Sequence, residues 1–275
     1  MRLSYSTGST YSYPLARSFH LAHEAGLDCV ELVLGPEAIR RGPAEVQRLA
    51  EDAGVSISSL HGPILPLPGW RQIPRNIERL TAYAAALEPS PLVVLHVPQA
   101  RDMERDERGR AFREALASGL ARDGLQIAVE TPGLFHTTER AFELFDMDNL
   151  GRFAERMGAG IVLDTVHVAS LSQDILHAYG LFRQRLANVH LSDLVEVPRW
   201  LDRPGLHSLI KHHQIPGRGV LPLAALVQAL ARDGYEGLVT LELSPVALRA
   251  WSATQAGRAL REAVAYVQGA LSADH

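Results

Sequence analysis

Cysteine is almost missing from this chain of 275 residues: Cys29 stands alone, so no internal disulfide can form. Its place in the apolar run Cys29-Val-Glu-Leu-Val33 marks it as a buried, inert thiol rather than a nucleophile. No stretch approaches the roughly 18 uninterrupted apolar residues of a membrane-spanning helix. The opening Met1-Arg-Leu-Ser-Tyr5 reads as a strand and lacks the long apolar segment and cleavage site of a secretory leader, so a cytoplasmic protein without a membrane contact is expected. Positive charge is not in excess either. With a formal net charge of -4 the chain has no global attraction for a polyanion, which argues against nucleic acid as a partner. Phosphate-cradling loops of the forms G-x-G-x-x-G and G-x-x-x-x-G-K-[ST] are absent after the strand-like runs. No G-x-S-x-G elbow supports a serine nucleophile.

What the chain does have is a regular beat. Apolar residues at 47% and charged residues at 21% suit a soluble enzyme with a sizeable core. Short β-branched or Leu-rich runs predict strands near Leu3–Ser6, Cys29–Leu32, Ser56–Leu60, Leu92–His96, Ile127–Glu130, Ile161–Asp164, Ala187–Leu191 and Leu238–Glu242. Between them lie helical patterns such as Ala44–Ala53 and Leu223–Ala231, closed by Gly54 and Gly234. Eight strand–helix beats in a chain somewhat above the usual 250 residues predict an α/β fold: a parallel, eight-stranded (β/α)8 TIM barrel spanning 1–275 as one domain. An open doubly wound sheet is the alternative, because pattern alone does not pair the first strand with the last. The longest irregular stretch, Ser192 to about Leu221, carries Trp200, Leu201, Leu206, Leu209 and Ile210 as apolar anchors and reads as an ordered lid over the barrel mouth.

The chemistry sits at the strand ends. Four runs finish on a metal-ligand side chain: Ile127-Ala-Val-Glu130, Ile161-Val-Leu-Asp164, Asn188-Val-His190 and Val239-Thr-Leu-Glu242. In a parallel barrel all strand C-termini open on one face, so these residues are expected to converge. Mixed oxygen and nitrogen donors suit Mn²⁺, Mg²⁺, Co²⁺ or Zn²⁺ rather than copper or an iron–sulfur cluster. His61 and His96 each end a strand two residues before a proline, which turns the chain away and leaves the ring at the rim as a ligand to a second ion, a substrate contact or a hydrogen-bonded core residue. His167, three residues after Asp164, is placed either to touch substrate or another metal or to cap the next helix. His213-Gln-Ile-Pro-Gly217-Arg-Gly219 joins a histidine to a tight Gly-x-Gly turn after the seventh strand, where barrel phosphate sites often lie. Lys211 and Arg218 add positive charge there, so Lys211, Gly217, Arg218 and Gly219 form a candidate substrate or phosphate subsite; a plain turn with solvated charges is the alternative.

Taken in order, His61, His96, Glu130, Asp164-x-x-His167, His190, His213-x-x-x-Gly217-x-Gly219 and Glu242 resemble the xylose-isomerase-like TIM-barrel superfamily, from strand three to strand eight. That superfamily holds sugar isomerases and epimerases, inosose isomerases and dehydratases, and zinc-dependent type-four apurinic endonucleases. The isomerase branch implies one divalent ion on Glu130, Asp164, His190 and Glu242, with Glu130 and Glu242 also moving protons at carbon beside a carbonyl of a sugar, sugar phosphate or cyclitol. The endonuclease branch, a zinc-dependent phosphoester hydrolase, implies three zinc ions. One would sit on His61, His96 and Glu130, a second on the four residues just named, and a third on His167, His213 and an Asp two residues before His213. That last position is Lys211 here, which removes a carboxylate and adds a like charge. The resemblance therefore implies a small carbohydrate substrate, and the pairing of related barrels through helices and loops makes a homodimer the assembly to test.

Overall fold

The computed structural model describes residues 1–65, 67–70, 72–134, 137–198 and 207–272. Eight strands follow one another in chain order around a closed barrel: β1 (Arg2–Ser6), β2 (Cys29–Val33), β3 (Ser56–His61), β4 (Leu92–His96), β5 (Ile127–Glu130), β6 (Gly160–Asp164), β7 (Leu186–Leu191) and β8 (Leu238–Leu241). All neighbours are parallel, and the ring closes through β1 and β8, paired from Arg2↔Leu238 to Tyr5↔Leu241. The open-sheet alternative is thereby excluded. Strand bounds lie within a residue or so of those expected, and Glu242 stands just past the end of β8.

The helices are α1 (Leu15–Glu24), α2 (Pro36–Arg41), α3 (Pro43–Asp52), α4 (Ile73–Ala84), α5 (Glu107–Leu120), α6 (Met147–Met157), α7 (Thr165–Ser170), α8 (Ile175–Phe182), α9 (His207–Ile210), α10 (Leu223–Arg232) and α11 (Ala253–Ser272). Pro43 begins α3, where a fixed φ near −65° fits the first turn and the missing N–H has no partner to lose. Gly54, at φ 75°, provides the left-handed residue just beyond it. Phe19 of α1, Phe112 and Leu116 of α5, Phe153 of α6 and Leu226 of α10 are buried against outward strand residues such as Val30, Leu60, Val93 and Val129. Each such side chain contributes about 1.5–3 kcal/mol by leaving water. No helix among the described residues is long and apolar enough to cross a membrane.

Alternation along the strands decides what faces inward. Val94, Ala128 and Val162 stand two residues before His96, Glu130 and Asp164. With Leu92 they form a separate apolar cluster, packed by Ala187 and Leu238, that fills the barrel beneath those residues. Two bulges set the phase. Val30 pairs with Ile57 but Glu31 with Ser59, leaving Ser58 over, and Ile161 pairs with Leu186 but Val162 with Asn188, leaving Ala187 over. The second brings His190 directly beside Asp164. Cys29 is buried, donates weakly to the Leu3 carbonyl at 3.3 Å, and has its thiol pushed up by burial, in keeping with an inert role. Of the stretch expected as a lid, Trp200, Leu201 and Leu206 lie outside the described residues; the described part forms α9 and an antiparallel bridge between Asp193 and Gln214.

Candidate active site

At the C-terminal mouth the strand ends bring Glu130, Asp164, His190 and Glu242 together, each offering a ligand atom within 4.8 Å of the others. Bonds of about 2.0–2.2 Å to one cation would place opposed donors up to roughly 4.4 Å apart, so a small inward adjustment closes the set. The orientation of each donor has a local cause. Asp164 is both the end of β6 and the cap of α7: its Oδ1 accepts from the His167 amide at 2.8 Å, which turns Oδ2 toward the mouth. Its own amide donates to Thr131 Oγ1 at 2.9 Å. Nδ1 of His190 lies 3.0 Å from Glu130 Oε1 and 2.7 Å from Glu242 Oε2. Asp164, His190 and Glu130 are buried, whereas the Glu242 side chain keeps 23% exposure toward the opening.

Three buried oxygens here have no hydrogen-bond partner: Glu130 Oε2, Asp164 Oδ2 and Glu242 Oε2. Glu130 Oε2 is 2.8 Å from His96 Nε2, and Glu242 Oε2 is close to His190, but neither approach follows a hydrogen-bond direction, so proximity leaves both oxygens unsatisfied. Buried carboxylate oxygens without donors cost several kcal/mol each unless a cation faces them. The donor set therefore fits a divalent ion. Its electrostatics agree. Burial disfavours charge on His190, yet Glu31, Glu242 and Glu130 outweigh burial and raise its proton affinity well above the usual imidazole range. Burial likewise opposes ionisation of Glu130 and Glu242, but the neighbouring histidines, His96 and His190 for the first and chiefly His190 for the second, hold both carboxyls well below their ordinary value.

Two further clusters flank the first. His61, His96 and Glu130 converge, with His61 Nε2 3.0 Å from His96 Nε2 and 3.5 Å from Glu130 Oε2. His61 turns Nδ1 to the Gly62 carbonyl at 2.7 Å, leaving Nε2 for the cluster. Burial opposes its charge, but Glu130, Glu31 and Glu242 lift it to about 9. Asp164, His167 and His213 form the other cluster, so the carboxylate comes from Asp164 and not from the Lys211 position. His167 Nδ1 donates to the Thr131 carbonyl at 2.8 Å. A cavity of about 620 Å³ opens above all three, lined by His96, Glu130, His167, His213 and Glu242 among others.

Residues 19–268 match the family described as xylose isomerase-like TIM barrel. The chain belongs to this xylose isomerase-like family. An uncharacterized protein of Mycobacterium leprae is 27% identical over 98% of this chain and 97% of its own length. One from Mycobacterium tuberculosis is 27% identical over 90% and 91%. Among solved structures, a xylose isomerase domain protein from Alicyclobacillus acidocaldarius aligns with TM-score 0.72 at 21% identity, over 99% of both chains. A D-psicose 3-epimerase from Clostridium cellulolyticum, solved with D-tagatose, aligns with TM-score 0.70 at 15% identity over 98% of this chain and 99% of that one. A 3-keto-D-glucoside 4-epimerase from E. coli gives 0.67 at 18%, over 98% and 99%. These similarities extend the xylose isomerase-like fold over nearly the whole chain.

One expected subsite of this xylose isomerase-like barrel is not assembled as a phosphate cradle. The turn at Gly217 and Gly219 does hold an anion, but the anion is the buried Asp193 carboxylate, whose Oδ2 accepts from both glycine amides at 3.0 and 2.9 Å while Oδ1 accepts from Leu221. A Cβ at Gly219 would fall 2.4 Å from Asp193 Oδ1, so the glycine is required by that close approach. Arg218 makes a two-pronged bond to Glu262 at 2.7 and 2.6 Å. The Lys211 carbonyl accepts from the Val195 amide, and none of Lys211, Gly217, Arg218 and Gly219 is among the residues lining the mouth cavity. Conversely, the site contains groups not singled out from the sequence. Glu31 reaches it from mid-strand, and Gly133 leaves room for the His167 ring, whose Cδ2 would lie 2.6 Å from an added Cβ. A lone glutamate inside the apolar run of β2 was the available signal for Glu31, since glutamate is almost never fully buried without a partner.

Proposed function

We propose that this protein is a divalent-metal-dependent isomerase or epimerase of a sugar or cyclitol, working by proton transfer at the carbon beside a carbonyl. The observation that carries the reading is the set of three partnerless buried carboxylate oxygens facing one another with His190 beneath a cavity of about 620 Å³. A divalent ion held by Glu130, Asp164, His190 and Glu242 would polarise the substrate carbonyl and make the adjacent C–H more acidic. Glu130 on β5 and Glu242 after β8 enter from different sides of the ring and both line the cavity. Either carboxylate could accept a carbon-bound proton, and the other, having taken one from solvent water in the cavity, would return it to the substrate. His167, tied to Thr131 through Nδ1, presents Nε2 as a fixed contact for a substrate hydroxyl. The sugar epimerases among the similar folds act on substrates of this class, which supports the reading. A sugar phosphate loses its argument, since the turn expected to bind the phosphate already holds Asp193.

Purified protein with Mn²⁺ or Co²⁺, given a panel of keto sugars in D₂O, is expected to incorporate solvent deuterium at one substrate carbon. Glu130→Gln and Glu242→Gln should each abolish incorporation while the fold persists. No turnover across a broad panel would defeat the proposal. A second reading rests on the His61–His96–Glu130 cluster: if those residues held zinc in addition to the first set, the metal would supply the water activation that a phosphoester hydrolase needs. Metal content separates the two, one ion per chain favouring isomerisation and two or more zinc ions favouring hydrolysis.

A further inference from the structure

Glu31 is outside all three histidine–carboxylate clusters, yet it is fully buried in the middle of β2. Its Oε2 lies 3.0 Å from His190 Nε2 and also accepts from Ser59 Oγ at 3.0 Å, while Oε1 has no hydrogen-bond partner. A mid-strand carboxylate inside a barrel is a costly side chain, and of its two polar contacts the one to His190 is the one to a group that can carry charge.

That contact has a consequence for the opposite edge of the ring. A neutral imidazole carries its hydrogen on one nitrogen only, and a metal ligand needs a lone pair. Nδ1 of His190 is the atom that faces Glu130 and Glu242, so it is the ligand nitrogen. An ionised carboxylate only accepts hydrogen bonds. Placed on Nε2, it selects the tautomer that keeps the hydrogen there and leaves the Nδ1 lone pair pointing at the ion. Ser59 fixes the carboxylate in turn, and the bulge at Ser58 is what puts Ser59 opposite Glu31.

We infer that Glu31 is a positioning residue: it sets the tautomer and ring orientation of His190 so that Nδ1 is available to a divalent cation, without itself being a ligand. The inference rests on the reading of Glu130, Asp164, His190 and Glu242 as the cation set. Its test uses the full chain and does not need the substrate. In protein loaded with Zn²⁺ and labelled with ¹⁵N-histidine, the His190 ring should show its hydrogen on Nε2 and a metal-bound Nδ1. A hydrogen on Nδ1 would overturn the inference. Glu31→Gln, nearly the same shape but able to donate to Nε2, should weaken Mn²⁺ binding by calorimetry about 10–100-fold and shift the visible bands of the Co²⁺ form. Affinity within twofold of the parent would refute it. Glu31→Asp, which keeps the accepting carboxylate but shortens the reach, should lose less than Glu31→Gln; if the Gln variant does not fold, the position of the ring hydrogen in the zinc-loaded parent decides the inference. Failure of the underlying reading looks different, because Asp164→Ala would then leave Mn²⁺ affinity intact.

Discussion

Replacing Asp164 by asparagine separates two jobs that one side chain performs. Oδ1 caps α7 through the His167 amide at 2.8 Å, and Oδ2 is a buried oxygen with no partner, facing the other carboxylates. Asparagine caps a helix about as well as aspartate, so Asp164→Asn keeps the first function and cancels the second. In EDTA it should stay close to the parent, because the repulsion relieved beside Glu130 and Glu242 is offset by the lost attraction to His167. Asp164→Ala loses the cap as well and should fall below Asp164→Asn by about 1 kcal/mol. With Mn²⁺ at a hundred times its dissociation constant, the parent gains about 2.7 kcal/mol by mass action. For a domain of this size that is a rise of roughly 5–11 °C in unfolding midpoint, at about 2–4 °C per kcal/mol. Neither variant should show it. Thermal scans of the three proteins with EDTA and with Mn²⁺ read both effects at once. The reasoning fails if Asp164→Asn keeps the metal-dependent rise, or if in EDTA it is as weakened as Asp164→Ala.

Gly133→Ala should push the His167 ring off the Thr131 carbonyl, since the new Cβ would sit 2.6 Å from Cδ2; turnover is expected to drop while Mn²⁺ affinity, measured by calorimetry, stays near the parent's. In the metal-free protein His61 is lifted from its ordinary 6.5 to about 9, so its contribution to stability is complete below about pH 6.5 and is lost as pH rises through about 9. Unfolding midpoints in EDTA should therefore decline over that interval, and His61→Asn should flatten the decline; a midpoint that holds steady in the parent would exclude the charged ring. Asp193→Ala strips the amides of Gly217, Gly219 and Leu221 of their acceptor and should cost about 1–3 kcal/mol in denaturant unfolding, because Gly217 is exposed and Gly219 and Leu221 are half-buried, so water replaces part of what is lost. Arg218→Ala, which breaks an exposed pair with Glu262, should cost under about 1 kcal/mol and leave metal binding alone.

Much of the barrel is legible in the sequence because each strand is short, apolar and ended by a polar residue or a proline turn. Bounds at β4 and β5 coincide with the pattern, and the four cation-set residues lie at strand ends where a parallel barrel must gather them. Closure was not legible: Arg2 and Leu238 meet only through the shared curvature of six intervening strands. Glu31 escaped because its meaning depends on a bulge in β3, and a one-residue slip in pairing is invisible to composition or period. The Gly-x-Gly turn misled for a related reason. Its glycines and nearby charge do describe an anion site, but the anion is a side chain more than twenty residues upstream, and local pattern cannot tell an internal carboxylate from a ligand.

Leu92, Val94, Ala128 and Val162 fill the barrel beneath the carboxylates with aliphatic side chains, so the polar donors are reached from the C-terminal side. Under the proposed reading, the two sugars of one equilibrium would occupy the same cavity in turn, and each would compete with the other for it.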